Sequence, residues 1–170
     1  VDVPAEVDGV TISGIQEGAF SQCFLLESLT LPDTITTIQD SAFYGCSVLK
    51  KLELPDSVTS MGKGTMEACI ALTDVKLPST LDTLPTSTFY GCTALETVSF
   101  PEAMNTIGSE AFYQCTALKD VDLSQIATIE TYAFEGCSAL TDITIPETCT
   151  TLGDFVFDGC SALTGLTLPR

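Results

Sequence analysis

The sequence predicts an elongated, right-handed repeat solenoid of the α/β type but rich in strand. A parallel sheet of short strands is expected on one side, and single helical or 3₁₀ turns on the other. Three observations carry that expectation. Cysteine recurs at positions 23, 46, 69, 92, 115, 137 and 160, at intervals of 23, 23, 23, 23, 22 and 23 residues. After each cysteine the same apolar phrase returns at fixed offsets, and a proline ends it in every repeat but one. Before the next cysteine stands Phe43, Met66, Phe89, Phe112, Phe134 or Phe157. Self-similarity at a fixed period is the signature of stacked supersecondary units.

Residues 1–22 form an atypical first rung and a cap by position. Val7 and Val10 are expected to fill the space that leucines occupy later. Ile12, Ile15 and Phe20 already stand in register with Ile35, Ile38 and Phe43. From Cys23 onward each rung has two halves. Three residues after each cysteine comes a leucine, Leu26 in the first case. Apolar residues at plus six and plus eight, such as Leu29 and Leu31, then alternate with polar ones, which reads as a strand with one buried face. Proline stops that strand because it has no N–H for the ladder, at Pro32, Pro55, Pro78, Pro101, Pro146 and Pro169.

The second half begins with Ile35 and Ile38 or their equivalents, and a second row of very short strands is expected at segments such as Thr36-Thr37-Ile38. The run from Asp40 to Cys46 is too short for a helix and reads as one helical or 3₁₀ turn. Gly45, Gly91, Gly136 and Gly159 let the chain reverse into the next rung. No rung can bury its own leucines and phenylalanine. Stacking in register, at about 4.7–4.9 Å per rung, gives each apolar side chain its equivalent as neighbour and extends eight rungs over roughly 35–40 Å. Phe43, Phe89 and Phe112 should therefore share one internal column.

The pattern C-x-x-L-x-x-L-x-L-P…(I/V)-x-x-I…A-F-x-G-C resembles the BspA-type, or treponemal-type, leucine-rich repeats. The resemblance runs from Ile12 to the C-terminus, and the opening Val3-Pro4-Ala5-Glu6-Val7-Asp8-Gly9 is similar to a segment that starts such arrays. It implies a leucine-rich-repeat rod, an extracellular or cell-surface location, a mostly bacterial origin, and use in adhesion and protein binding, with a host or matrix protein as partner.

At 170 residues the chain reads as one elongated array over 1–170, with repeats starting at the seven cysteines. Six Lys+Arg against 23 Asp+Glu leave a net charge of −17. Nucleic acid and anionic lipid need a basic footprint, so both are disfavoured as partners. There is no apolar run long enough to span a membrane and none resembling a signal peptide. The chain reads as a fragment of a longer protein, its last repeat truncated. A last strand without a polar capping repeat could pair with another molecule, giving end-to-end self-association.

Eight cysteines in an extracellular protein usually suggest disulfides. Seven of these occupy one inward repeat position, and Cys149 takes the core position of Ile35 and Val58. In-register Cβ vectors run parallel rather than towards each other, so a ladder of buried free thiols is the leading reading, with occasional disulfides as the alternative. Zinc fits poorly, since there is no histidine and the thiols form a row rather than a tetrahedron.

Candidate binding residues lie on the strand side chains that face away from the core. Their columns hold Lys50, Lys51, Glu53, Asp74, Lys76, Glu96, Lys119, Asp120, Asp122 and Asp142, which include four of the five lysines. Adjacent rungs would pair Glu27 with Lys50, Lys51 with Asp74, Glu53 with Lys76, and Glu96 with Lys119. Such pairs explain the charges as a register-keeping ladder. A mixed-charge binding surface explains them equally, and the two are compatible. Tyr44, Tyr90 and Tyr113 follow the phenylalanine column, with Glu67 between, and form a second candidate surface on the flank.

The repeat from Cys115 to Cys137 lacks one residue and its proline, which predicts a tighter corner. Beside it, Asp120, Asp122 and Asp142 should project within roughly 7 Å of one another and repel. Calcium there would meet poor coordination geometry on flat strands. Phe155 should be exposed or cover Tyr132. With no histidine, the usual Cys–His and Ser–His activation schemes are unavailable, and no cofactor site is indicated. The expected function is a non-enzymatic protein-binding or adhesion module working through its concave strand face, with a passive spacer or stalk as the alternative.

Overall fold

The computed structural model describes residues 1–168. Pro169, expected to close the last strand, lies outside them. The chain opens with a two-stranded antiparallel hairpin, β1 (Glu6–Val7) and β2 (Val10–Thr11). Its turn is Asp8-Gly9, both with positive φ, the backbone that a two-residue hairpin loop demands. Val7 and Val10 therefore stand on an exposed hairpin and do not fill the leucine space. Residues 1–3 do the capping instead. Val3 N–H donates to Thr30 O and Thr30 N–H to Val1 O, laying the N-terminus beside the first rung.

Two rows of short strands then alternate along the chain. The first half carries β3 (Gly14–Ile15), β4 (Ser28–Leu29), β5 (Thr37–Ile38), β6 (Lys51–Glu53), β7 (Ser60–Met61), β8 (Asp74–Lys76) and β9 (Thr83–Leu84). The second half carries β10 (Thr97–Val98), β11 (Thr106–Ile107), β12 (Asp120–Val121), β13 (Thr128–Ile129), β14 (Asp142–Thr144), β15 (Thr151–Leu152) and β16 (Gly165–Thr167). Within each row every pairing is parallel and in register, Leu29 on Leu52 on Val75 and Ile15 on Ile38 on Met61. The result is a β-solenoid of about seven turns.

Neither row is one continuous sheet: the odd-numbered row divides into β3-β5-β7 and β9-β11-β13-β15. The even-numbered row divides into β4-β6-β8, β10-β12 and β14-β16, with the strands still side by side at both junctions. Strands of two or three residues form only one or two ladder bonds per pair, so a small local twist is enough to open a junction.

Among the described residues the side opposite the strands contains no helix. Along Asp40–Cys46 the N–H groups alternate in allegiance. Those of Ser41, Phe43 and Gly45 donate to Lys63, Thr65 and Glu67 of the next rung, while those of Tyr44 and Cys46 close turns onto Ser41 and Phe43. A helix would commit every N–H to its own segment, and left-handed backbone at Ser41 and Gly45 breaks the helical winding. What stands there is a third set of rung-to-rung hydrogen bonds, so the fold is β-solenoid rather than α/β.

The core is one column per repeat position. Phe20 stacks on Phe43 at 5.6 Å, Phe89 on Phe112 at 5.3 Å, Phe112 on Phe134 at 5.1 Å and Phe134 on Phe157 at 5.7 Å. Met66 fills the gap between Phe43 and Phe89, fully buried. All eight cysteines are free thiols, and six of the seven in the repeat column are buried. Thr65 and Thr88, the buried polar side chains, turn their hydroxyls onto Gly62 O and Pro85 O at 2.6 and 2.7 Å.

The missing residue between Cys115 and Cys137 is absorbed in the corner between β12 and β13. Thr97 pairs with Asp120 and Thr128 with Thr151 across 23 residues, whereas Thr106 pairs with Thr128 across 22. The odd-numbered row keeps its ladder through the corner, whereas β12 and β14 on either side of it lie adjacent without ladder pairing. Gln125 steadies the corner by donating from Nε2 to Pro101 O at 2.7 Å.

Candidate functional site

The outward columns of the even-numbered row form the candidate site. Alternation along each strand places Leu52 in the core and leaves Lys51 and Glu53 on the face. Lys51 Nζ sits 2.8 Å from Glu53 on its own strand and 3.3 Å from Asp74 on the next. These two carboxylates, Glu53 first, raise the pKa of Lys51 above its usual value. Lys119 Nζ meets Glu96 at 2.8 Å, as adjacent-rung pairing predicts.

The expected Glu53–Lys76 pair does not form. Lys76 turns instead to Asp56, 3.1 Å away, just beyond the proline that ends β6. Asp56 is better placed to receive it, because Oδ1 already accepts the N–H of Ser79 at 2.8 Å. That N–H, followed by Lys76, holds the Asp56 carboxyl below the usual range. Among the described residues no ion pair joins Glu27 to Lys50, and Lys50 stands exposed without a partner. Every ion pair on the face is more than half exposed, so each stabilises the rod only slightly and weakens with salt.

A shallow concavity of about 380 Å³ opens on the first three rungs of this face, among Thr30, Asp33, Lys51, Glu53 and Lys76. Further along, the balance of charge tips to acid. Asp120, Asp122 and Asp142 are exposed, but they do not converge, and among the described residues no group of three acidic or thiol side chains could hold a metal ion. Asp122 turns its Oδ1 back onto the N–H of Ser124 at 2.9 Å, which lowers its pKa. The face thus runs from rungs of balanced charge to an acidic end.

On the flank, Tyr90 and Tyr113 stack at 4.6 Å, but Tyr44 is separated from them by the rung of Glu67 and joins no aromatic stack. Phe155 is 60% exposed and stacks on Tyr132 at 5.4 Å. Asp56 escaped the sequence reading. Its signal was the Pro55-Asp56 pair, an acidic side chain at the start of a turn within reach of the next rung's lysine. Glu110 and Glu135 also went unread, and Tyr132 entered only as the ring beneath Phe155, because the column of Glu110 and Tyr132 runs Gly, Ser, Gly, Ser, Glu, Tyr, Phe along the repeats.

Stacked 23-residue rungs, two parallel strand rows and a charged outward face define the class, a leucine-rich-repeat solenoid. More narrowly, the chain belongs to the BspA type leucine rich repeat region family, whose model matches it in six copies over residues 13–139 and 117–170. Among curated proteins no sequence matches the chain significantly. Three solved bacterial proteins share the fold. A T. pallidum leucine rich repeat protein is 30% identical with a TM-score of 0.88, over 96% of this chain and 77% of that one. A leucine-rich repeat protein from Eubacterium ventriosum is 30% identical with a TM-score of 0.84, over 96% of this chain and 43% of that one. A leucine rich cell surface protein from Faecalibacterium prausnitzii is 25% identical with a TM-score of 0.59, over 99% of this chain and 59% of that one. The chain thus spans less than half of the Eubacterium relative. Among the described residues no helix is long and apolar enough to cross a membrane.

Proposed function

We propose that the chain is a protein-binding or adhesion module of a secreted or surface-attached bacterial protein, engaging a host or matrix protein through its even-numbered strand face. The observation that carries this reading is the placement of charge. In a chain of net charge −17, four of five lysines lie in the outward columns of this one face. Three of those lysines are held in place by ion pairs, and Lys50 is free. Held lysines present a fixed charge pattern, which favours recognition and steered encounter over non-specific attraction. The cell-surface description of the Faecalibacterium relative supports the location.

The test replaces Lys51, Lys76 and Lys119 with serine and measures binding to a panel of purified serum and matrix proteins by interferometry. Weakened binding with an unchanged urea midpoint supports the face assignment, and unchanged binding refutes it. The exposed threonines and serines of the other row, Thr37, Ser60 and Thr83, favour a second reading as a spacer, which predicts that no panel member binds. End-to-end self-association belongs to the same proposal. Leu166 and Leu168 on the last described rung are 50% and 57% exposed, and sedimentation at rising concentration tests whether they join copies.

A further inference from the structure

A second cleft lies on the turn-bearing flank, away from the strand face. It measures about 350 Å³ and is lined by Tyr90, Glu110, Tyr113, Tyr132 and Glu135. Two neighbouring columns build it. Two residues before each cysteine the chain carries Tyr90, Tyr113 and then Glu135. Five residues before, it carries Glu110, Tyr132 and then Phe155. Stacking the rungs therefore sets two aromatic pairs, Tyr90–Tyr113 at 4.6 Å and Tyr132–Phe155 at 5.4 Å, on one diagonal. The carboxylates of Glu110 and Glu135 occupy the other.

Three features make this cleft more than a patch. First, its acids are uncompensated: among the described residues no lysine or arginine pairs with Glu110 or Glu135. Glu110 receives one neutral hydrogen bond, from Ser87 Oγ at 3.2 Å. Second, the groups are half-buried rather than solvated, so their charges act in a medium less screening than water. Burial first, and then the neighbouring Tyr113, Glu110, Glu67 and Glu135, raise the pKa of the Tyr90 phenol. Third, Glu110, Tyr132 and Phe155 hold positive φ of 57°, 61° and 54° at a repeat position where Gly18 and Gly64 stand elsewhere. Ser41 and Ser87 hold the same left-handed backbone at this position, so the repeat itself fixes the conformation that carries these three larger side chains.

We infer that this cleft binds the guanidinium of an arginine on a partner polypeptide. Aromatic faces present negative charge to a cation, and the two carboxylates supply acceptors at its edges. A planar guanidinium can lie flat against Tyr113 or Tyr132 and still fork its N–H groups onto a carboxylate, which a compact ammonium cannot do. The net charge of −17 draws a basic segment toward the rod before it docks. This surface is separate from the strand face, so either assignment can fail without the other.

The test uses the full chain with ¹³C-labelled tyrosine rings and the peptide acetyl-Ser-Gly-Arg-Gly-Ser-amide. The chain has four tyrosines, and Tyr44, outside the cleft, is the internal control. On titration the ring signals of Tyr90, Tyr113 and Tyr132 should move while Tyr44 stays still. A peptide with citrulline for arginine keeps the shape without the charge, and should bind about tenfold more weakly. The combined Glu110→Gln and Glu135→Gln variant should lose the response, and Lys51→Ser should keep it. Absence of movement at millimolar peptide, equal binding of the citrulline peptide, or equal movement of all four rings would each overturn the inference. Tetramethylammonium binding as well as the arginine peptide would overturn the guanidinium assignment.

Discussion

The repeat holds two positions of left-handed backbone, and a pair of reciprocal substitutions at one of them measures what it costs. At the residue before each cysteine φ is 68° at Gly45, 58° at Ala68, 69° at Gly91 and 57° at Gln114. Ala68 thus occupies, with a side chain, the conformation its neighbouring rungs give to glycine. A Cβ added at Gly91 would meet nothing nearer than Ala68 Cα at 4.0 Å, so space is not the obstacle there. The left-handed conformation costs an L-residue about 1–2 kcal/mol. Against that, alanine narrows the unfolded ensemble relative to glycine and recovers about 0.4–1 kcal/mol. The difference predicts that Gly91→Ala destabilises, and Ala68→Gly stabilises, by about 0.5–1 kcal/mol.

Gly62 provides the contrast. Its φ is ordinary, but a Cβ there would overlap Asp40 N and Gln39 C, backbone atoms that cannot swing aside. Gly62→Ala should cost about 3 kcal/mol or more, because two rungs must separate to admit a methyl group. Urea unfolding followed by circular dichroism gives the readout, with the Ala68→Gly midpoint rising by about 0.3–0.5 M and the Gly91→Ala midpoint falling by as much. The reasoning is refuted if Ala68→Gly lowers the midpoint, or if Gly62→Ala proves no worse than Gly91→Ala.

Further expectations follow from the core and the charged groups. Phe112→Ala, which removes stacks with both Phe89 and Phe134, should cost about 3–5 kcal/mol in the same urea assay. Burial pushes the Cys92 thiol up to about 12 and Cys160 up to about 11. Because these folded values lie above the unfolded one, the stability they contribute is present below about pH 8.5 and lost as pH rises towards the folded values. Alkaline unfolding should begin there, and in native protein at pH 8 a thiol reagent should label Cys23 and Cys149 well before the buried six. Burial, and then Glu110, raise the Glu67 carboxyl above its usual value, so ionised Glu67 opposes folding increasingly as pH climbs through that range. Glu67→Gln should therefore raise the melting temperature at pH 7 and leave it unchanged at pH 3.

Most of the interior was legible because every rung offers each repeat position the same surroundings. Once the period is known, Phe43, Leu49 and Ile38 can only point inward, and their burial follows. The second strand row was legible for the same reason. The turn side was not, because the seven-residue run Asp40–Cys46 fits one helical turn locally, and only the neighbouring rung decides where its N–H groups go. The hairpin valines were misplaced because the first rung has no earlier copy to set its frame. On the strand face, legibility fell with side-chain length. Short offsets fixed which residues look outward, but Lys76 has rotamers that reach either Glu53 or Asp56, and the turn N–H that prepares Asp56 is invisible in sequence.

The cysteine column shows how one repeated position can serve two rungs at once. From Phe20 to Phe134, each carbonyl at the phenylalanine position accepts the backbone N–H of the cysteine in its own rung and the thiol of the cysteine in the next. Phe89 O receives Cys92 N–H at 3.0 Å and Cys115 Sγ at 3.1 Å, and Phe112 O receives Cys115 N–H at 3.0 Å and Cys137 Sγ at 3.1 Å. Even Met66 O keeps the arrangement, accepting Cys69 N–H and Cys92 Sγ, both at 3.2 Å. Alanine in this column would leave space beside the phenylalanine stack and remove the second donor. Serine would keep a donor but bury a hydroxyl that costs more to desolvate than a thiol. Valine would fill the space and offer the carbonyl nothing. Cysteine alone of the four is apolar enough for a site without solvent, nearly isosteric with its neighbours, and still able to donate. The thiols therefore serve as weak cross-rung hydrogen bonds, the side-chain counterpart of the three backbone ladders that hold the rod in register.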